Sequence, residues 1–541
     1  MTDRVPLRTA LTVPAPPGAQ AAGPRPPFAR PPGPPGPPPP PTWPERLFLE
    51  WKEPRRAFGP LLLGGVAAAG LAGAVFFSGV EKGGRLGLNV PLTALAVAAV
   101  VLPAAWSAGR VVKGGEGKGR RVNRTGVLFG VLALALAATA AYRDAIWLVA
   151  LTALLALPIA SYAMTGGRSW LEVVGGGLAL PPALGRLVPW AARGVAATAS
   201  AGRGRAVPVL RTGLIAAALL LVFGALFAQA DAAFSRFVGG LFPDVSPGPG
   251  LLRLVVLAGT AALTLGLAFL ALAPPPLRKL APARPAPAGR WTWAVPIAAL
   301  DLLFAAFCAV QANVLLASDK DRVLASTGLT YAEYARQGFF QLVIATVLVL
   351  AVLAYAVRHA PLGSRADRAT VRALLGALCA FTLVIVAVAL RRLYLYEETF
   401  GWTRLRLWVH AFELWLGLVV VLVAAAGLRL RASWLPRAVA ASGAAGLLAL
   451  SALNPDAFIA ERNVVRFEDT GKIDLYYLRD LSADAGPALN RLPEPQRSCA
   501  LRDIAARVRA DEPVWAANLA RHHARDLVER RPVMSAGPQP C

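Results

Sequence analysis

VRALLGALCAFTLVIVAVAL, Val371 to Leu390, runs straight into RRLYLYEETFGWTRLRLWVHAFE, Arg391 to Glu413, and the sequence is then apolar again through residue 428. About twenty apolar residues cross a hydrocarbon core of about 30 Å as a helix. Two such runs joined by one short polar and aromatic link read as a pair of membrane helices. The fold class depends on how often this pattern recurs.

It recurs along most of the chain. Eleven runs have the length and apolarity of a span: 58–80, 86–108, 125–142, 145–164, 213–230, 251–273, 293–317, 338–357, 371–390, 405–428 and 438–458. Pro91, Pro103, Pro158 and Pro296 fall inside them and predict kinks rather than ends, because neighbouring helices can satisfy the freed carbonyls. Residues 170–200 are read differently. Gly175 to Gly177, Pro181, Pro182, Pro189, Arg186 and Arg193 interrupt them, which predicts an interfacial or partly inserted segment and not a span. The expectation is an all-α polytopic bundle of about eleven spans with a small helical extracytoplasmic tail.

Composition excludes other classes. Hydrophobic residues make up 56% of the 541 and charged residues only 16%, which is not the balance of a soluble chain. The net charge of +25 suggests nucleic acid until it is located, since most of it lies in short loops between apolar runs. The basic residues are nearly all arginine, and with the Ala, Gly and Pro content this points to a GC-rich bacterial source. If the eleven runs cross, one set of alternate loops holds 22 Lys and Arg and the other 10. By the positive-inside rule the richer set is cytoplasmic. The N-terminus is then cytoplasmic and the C-terminus extracytoplasmic.

Three regions follow. Residues 1–56 form a cytoplasmic tail with 17 prolines in the first 44 positions, polyproline II or disordered, without the apolar core of a signal peptide. Within it, 43–56 has the pattern of a short amphipathic helix on the membrane surface. Residues 57–460 are the membrane domain. Residues 461–541 form the tail, with 13 basic against 12 acidic residues, which removes any case for a nucleic-acid arm. Asn454-Pro455-Asp456 and Thr470-Gly471 mark turns. Ser482 and Ser498 are N-cap candidates, and Pro513 suits a first helical position. Leu501, Ile504 and Val508 keep helical spacing. Cys499 and Cys541 would sit in an oxidising space; unpaired thiols are the expectation, since Cys541 is the last residue.

Arg406, His410 and Glu413 are the sharpest chemical signal. At spacings of four and three they share a helix face, and ionisable groups in a span face protein or water. Asp301 in the run 293–317 is the other intramembrane acid, and simple counting puts it within about 6 Å of Glu413 in depth. One reading is a proton or cation relay through His410, Glu413 and Asp301, with Gln311 and Asn313 as neutral partners. The other, preferred, is a clamp in which Arg406 pairs with Glu413 or an outer-loop acid and Asp301 meets an arginine.

Cofactor and metal sites are not expected. His522 and His523 are adjacent and point apart on a helix, and no third ligand joins His410 and Glu413. KGGEGKG, residues 113–119, lacks the Lys-Ser/Thr of a phosphate loop. Tyr394, Tyr396, Trp402 and Trp408 read as an interfacial belt. Membrane lipid is the expected partner, with an envelope or signalling protein as a further one.

Three motifs carry a family resemblance. They are Gly328-Leu-Thr-Tyr331-Ala-Glu-Tyr334-Ala-Arg336-Gln-Gly338-Phe339; Arg391-Arg-Leu-Tyr394 with Gly401-Trp-Thr403-Arg404-Leu-Arg406; and Asn454-Pro-Asp456 with Leu481-Ser482-Ala-Asp484-Ala. The chain resembles the bacterial multi-pass membrane families catalogued as domains of unknown function 4173 and 4153. Trp402 stands where that pattern has leucine. The resemblance implies an integral membrane protein and brings no catalytic residues. Function is expected to be that of a signalling or envelope-associated membrane scaffold. An ion-coupled transporter or channel is the alternative, although no internal repeat supports it. A membrane-embedded envelope enzyme with Glu413 and His410 as acid and base is the third.

Overall fold

In a computed structural model, residues 50–54, 59–78, 85–111, 123–200, 247–279, 286, 289–316, 339–430 and 432–534 are described. Among them the chain is helical, without a strand. The expected span 213–230, the capping box at Thr330 and Glu333, the loop 113–119, the proline-rich residues and Cys541 lie outside the described residues.

Nine helices among the described residues are long and apolar enough to cross a membrane. In chain order the membrane helices are α1 (Pro60–Phe76), α2 (Asn89–Val111), α3 (Arg124–Tyr142), α4 (Ile146–Thr165), α5 (Trp170–Gly177), α6 (Leu180–Ser200), α7 (Pro247–Leu272), α8 (Arg290–Leu316), α9 (Phe339–His359), α10 (Arg365–Phe400), α11 (Arg404–Arg429) and α12 (Leu435–Leu453). They pack as two groups. Helices α1 to α7 form one and α8 to α11 the other, and α12 lies against both, touching α3, α4, α5 and α11. Lipid tails are as apolar as leucine, so such helices associate through close packing at small residues. A side chain on Gly73 of α1 would meet Thr260 Oγ1 of α7 at 2.6 Å.

The bundle has two distinct ends. At one, the Trp51 indole donates to the Ala273 carbonyl just beyond α7 (2.8 Å), and Arg290 at the start of α8 lies 3.8 Å from Asp367 at the start of α10. At the other, the tail covers the junctions α1–α2, α3–α4, α10–α11 and the end of α12. The described start of the chain and its tail therefore lie at opposite ends of the bundle.

Helices α5 and α6 bend by 61° at their junction. A capping box of Ser169 and Glu172 starts α5, and Ser161 Oγ of α4 donates to the Gly176 carbonyl (2.6 Å). In α6, Trp190 packs on Phe269 (5.6 Å), while Arg186 bonds the Trp51 carbonyl and Arg193 pairs with Glu53. Arg186 and Arg193 thus tie α6 to residues 51–53, and α5 and α6 are long and apolar enough to cross a membrane only when taken together.

Several boundaries differ from expectation. The first expected span, 58–80, is only the 17-residue helix α1, which is not among the nine. Residues 391–400 are not a loop: α10 continues through Phe400, and Gly401 at φ 80° ends it. Polar aromatics resemble a connection, yet nothing from Arg391 to Phe400 breaks a helix. The last span ends at Leu453 and not at 458, because Asn454 takes φ 60° and Pro455 starts a new helix. That helix crosses the expected boundary at 460–461, so the tail begins at Asn454. Residues 51–54 are not helical.

The tail comprises α13 (Pro455–Thr470), α14 (Leu475–Arg479), α15 (Gly486–Leu489), α16 (Gln496–Val508) and α17 (Leu519–Arg530), with short 3₁₀ turns at Ala483–Ala485 and Val514–Ala516. Leu501, Ile504 and Val508 are buried with Ile459, Leu478 and Leu489, and Leu148, Leu407 and Leu450 of the membrane helices join the same core. Ser498 is not a cap: it lies inside α16, and its hydroxyl accepts from Met534 N (3.2 Å). Ser482 precedes the first 3₁₀ turn, but its hydroxyl bonds Asp484 instead of capping. Pro513 precedes the second turn, not an α-helix. Cys499 is disulfide-bonded, against the expectation of a free thiol; its partner lies outside the described residues.

Candidate functional site

Two clusters of charge stand out. One is the expected intramembrane face. The other is the seat of the tail.

On the face, α10 and α11 run antiparallel around the break Gly401–Thr403. Glu397 lies four residues before that break and His410 seven after it, and they meet: His410 Nδ1 is 3.2 Å from Glu397 Oε1, and Glu397 is fully buried. Trp402 stacks on His410 (5.7 Å) and packs edge-on against Phe458 (5.0 Å). Arg406 does not pair with Glu413. It donates to the Gly401 carbonyl and lies over the Tyr396 ring (4.5 Å). Glu413 is fully buried, and neither carboxylate oxygen has a hydrogen-bond partner. Asp301 is buried in the same condition. The expected clamp is absent because Arg406 is occupied at the break.

The two acids are also at different depths. A side chain on Gly417 would meet Val386 at 3.2 Å, which puts Glu413 level with residues 390 and 391 of α10. Asp301 lies near Cys379, eleven residues lower, or about 16 Å at 1.5 Å per residue. The structure therefore brings His410, Arg406 and Glu397 together and leaves Asp301 apart. Arg392 Nη2 donates to Gln311 Oε1 at 3.3 Å; the Asn313 side chain lies outside the described residues. Glu397 was read as part of a loop, and no spacing in the sequence links it to His410.

The seat is built from opposed charges. Arg404 holds Asp456 with two bonds (Nε–Oδ1 3.0 Å, Nη2–Oδ2 2.7 Å) and Asp480 with a third (2.8 Å). Asp456 also accepts from Trp147 Nε1 (3.2 Å) and Ser482 N (2.8 Å). Burial alone would raise the Asp456 carboxyl, but Arg404 and these donors outweigh it and hold it below the ordinary range. Asp484 accepts from the amides of Asp144 (2.7 Å) and Ala145 (3.1 Å) and lies 3.4 Å from Arg143; here burial wins and pushes the carboxyl up.

Arg521, 2% exposed, forms ion pairs with Asp144 and Glu512 (both 2.7 Å) and donates to the Leu86 carbonyl (3.1 Å). Asn518 Nδ2 donates to the carbonyls of Ala140 and Arg143 (2.8 and 2.9 Å). The backbone of Gly87 is pressed on the tail, where an added Cβ would lie 2.2 Å from the Ala516 carbonyl oxygen. The sequence signal for this seat was Arg143-Asp144, a charged pair forming a whole two-residue connection.

Among the described residues no three His, Cys, Asp or Glu side chains converge as a metal site. His522 is 3.5 Å from Asp526, and its ring stands at 78° to His523.

No curated protein and no solved structure matches the chain. A family model described as Domain of unknown function (DUF4153) matches residues 130–492. The match takes in the intramembrane face and most of the seat, with Arg521 beyond it. It covers more than half of the sequence, and of the two families whose motifs this chain resembles it is 4153 that is found: the protein is a multi-pass membrane protein belonging to the DUF4153 family.

Proposed function

We propose that this is a signalling or envelope-associated membrane scaffold, with its N-terminus in the cytoplasm and its tail outside. One observation carries the reading: the tail is fastened to the ends of both helix groups. Arg404 and Trp402 bind it from the α10–α11 junction, and Arg143, Asp144 and Gly87 bind it from the other group. A body held at both groups fixes their relative position, and anything that binds it acts on both. The positive-inside bias and the disulfide at Cys499 support an outward tail.

A second reading, an ion-coupled transporter or channel, draws on Glu413 and Asp301. An ionised carboxylate buried without a donor costs several kcal/mol, and such acids in membranes mark ion pathways. Proteoliposomes separate the two. The scaffold reading expects no proton or cation flux, and loss of the in-cell phenotype in Asp456→Asn but not in Glu413→Gln or Asp301→Asn. A flux that either acid variant abolishes at unchanged abundance would favour transport.

A further inference from the structure

The second 3₁₀ turn of the tail presents apolar side chains where its neighbours are membrane helices. Val514 is 76% exposed, Trp515 37% and Leu519 52%. The Trp515 ring lies 5.4 Å from Phe76, the last residue of α1. Leu88 N, one residue before α2, donates to the Ala517 carbonyl (3.0 Å). This turn therefore sits level with the end of α1 and the start of α2.

Depth identifies what covers it. Helix α1 has 17 residues and is about 25 Å long, shorter than a hydrocarbon core of about 30 Å. Laid across such a core, its far end, with Trp515 beside it, falls at or inside the boundary. Leu71 and Val75 on α1 and Leu95 on α2 are exposed as well. Indole rings favour that boundary, with their apolar body in the acyl region and N–H among the headgroups.

We propose that Val514, Trp515 and Leu519 form a lipid-binding foot that plants the tail in the interface of the leaflet on its own side. The lipid is recognised by its acyl region and not by a headgroup, since the patch itself carries no charge. This inference rests on the multi-pass membrane assignment and not on the scaffold reading, so the two fail separately.

The test is lipid photo-crosslinking in the intact protein. A diazirine amino acid replaces Val514 or Leu519, with Tyr476, 86% exposed in the tail, as the control. The protein is reconstituted in phosphatidylethanolamine–phosphatidylglycerol vesicles, irradiated and weighed by mass spectrometry. Lipid adducts at both positions should exceed those at Tyr476 by at least tenfold. Adducts no more frequent than at Tyr476, or crosslinks to a second copy of the chain in their place, would overturn the proposal. All three positions are exposed, so the substitutions leave the core intact.

Discussion

The seat of the tail and the face of α10–α11 use the same residue types in opposite ways. At the seat every buried acid is answered: Asp456 by Arg404, Asp484 by two amides and Arg143, Asp144 by Arg521. On the face, Glu413 has no answering donor, and Asp301 below it has none. Polar groups in a low-dielectric surround are expensive unless paired, so the seat reads as fastening. The unpaired acids read as groups whose charge the bundle does not need for its stability.

This contrast is sharpest in the effect of removing one partner. Asp456→Ala leaves Arg404 without its bidentate partner and should cost about 3–5 kcal/mol. Thermal unfolding in detergent would show it as a loss of the tail's protection from protease before the bundle melts. Next is Gly87→Ala, where the new methyl collides with a backbone carbonyl that has no room to yield; it should release the tail from the first helix group while the Arg404 contacts persist. If tail proteolysis is unchanged in this variant, the α1–α2 junction is not part of the seat.

Acidity gives a smaller effect with a definite sign. The folded Asp456 carboxyl lies below its unfolded value. Its contribution is therefore complete above the ordinary carboxylate range of about 4 and fades as pH falls through its folded value. Asp484 is raised and runs the other way, contributing fully below about 4 and losing that contribution as pH rises through its folded value. Tail release on strong acidification should be blunted in Asp456→Asn, as a proteolysis series across pH would show.

The smallest effect is expected on the face. A clamp between Arg406 and Glu413 would make Glu413→Gln fall in abundance. With neither oxygen bonded, Glu413→Gln breaks no pair, and the structure instead expects no fall in abundance or melting temperature. A clear loss of folded protein would mean that Glu413 has a partner after all.

The sequence disclosed most of the bundle because a span is a local property. Twenty apolar residues declare themselves wherever they stand, and so do Asn454-Pro455 and Gly401 as breaks. The helical state of 391–400 was hidden because tyrosine, arginine and glutamate sit equally well in an exposed helix and in a loop. The seat was hidden for another reason. Asp144 and Arg521 are 377 positions apart, and no periodicity links them. Arg406, His410 and Glu413 do share a helix, as their spacing says, but spacing cannot tell which of them the neighbouring helix engages. Glu397 on α10 engages His410, and the Gly401 carbonyl engages Arg406.

Cysteine labelling of intact and permeabilised cells bears most directly on the arrangement of the chain. Tyr476→Cys in the exposed part of the tail and Glu50→Cys before α1 are treated with a membrane-impermeant maleimide. Position 476 should react in intact cells and position 50 only after permeabilisation. Equal reactivity of both positions in intact cells, or the reverse pattern, would contradict a chain whose tail is seated on the outward end of the bundle.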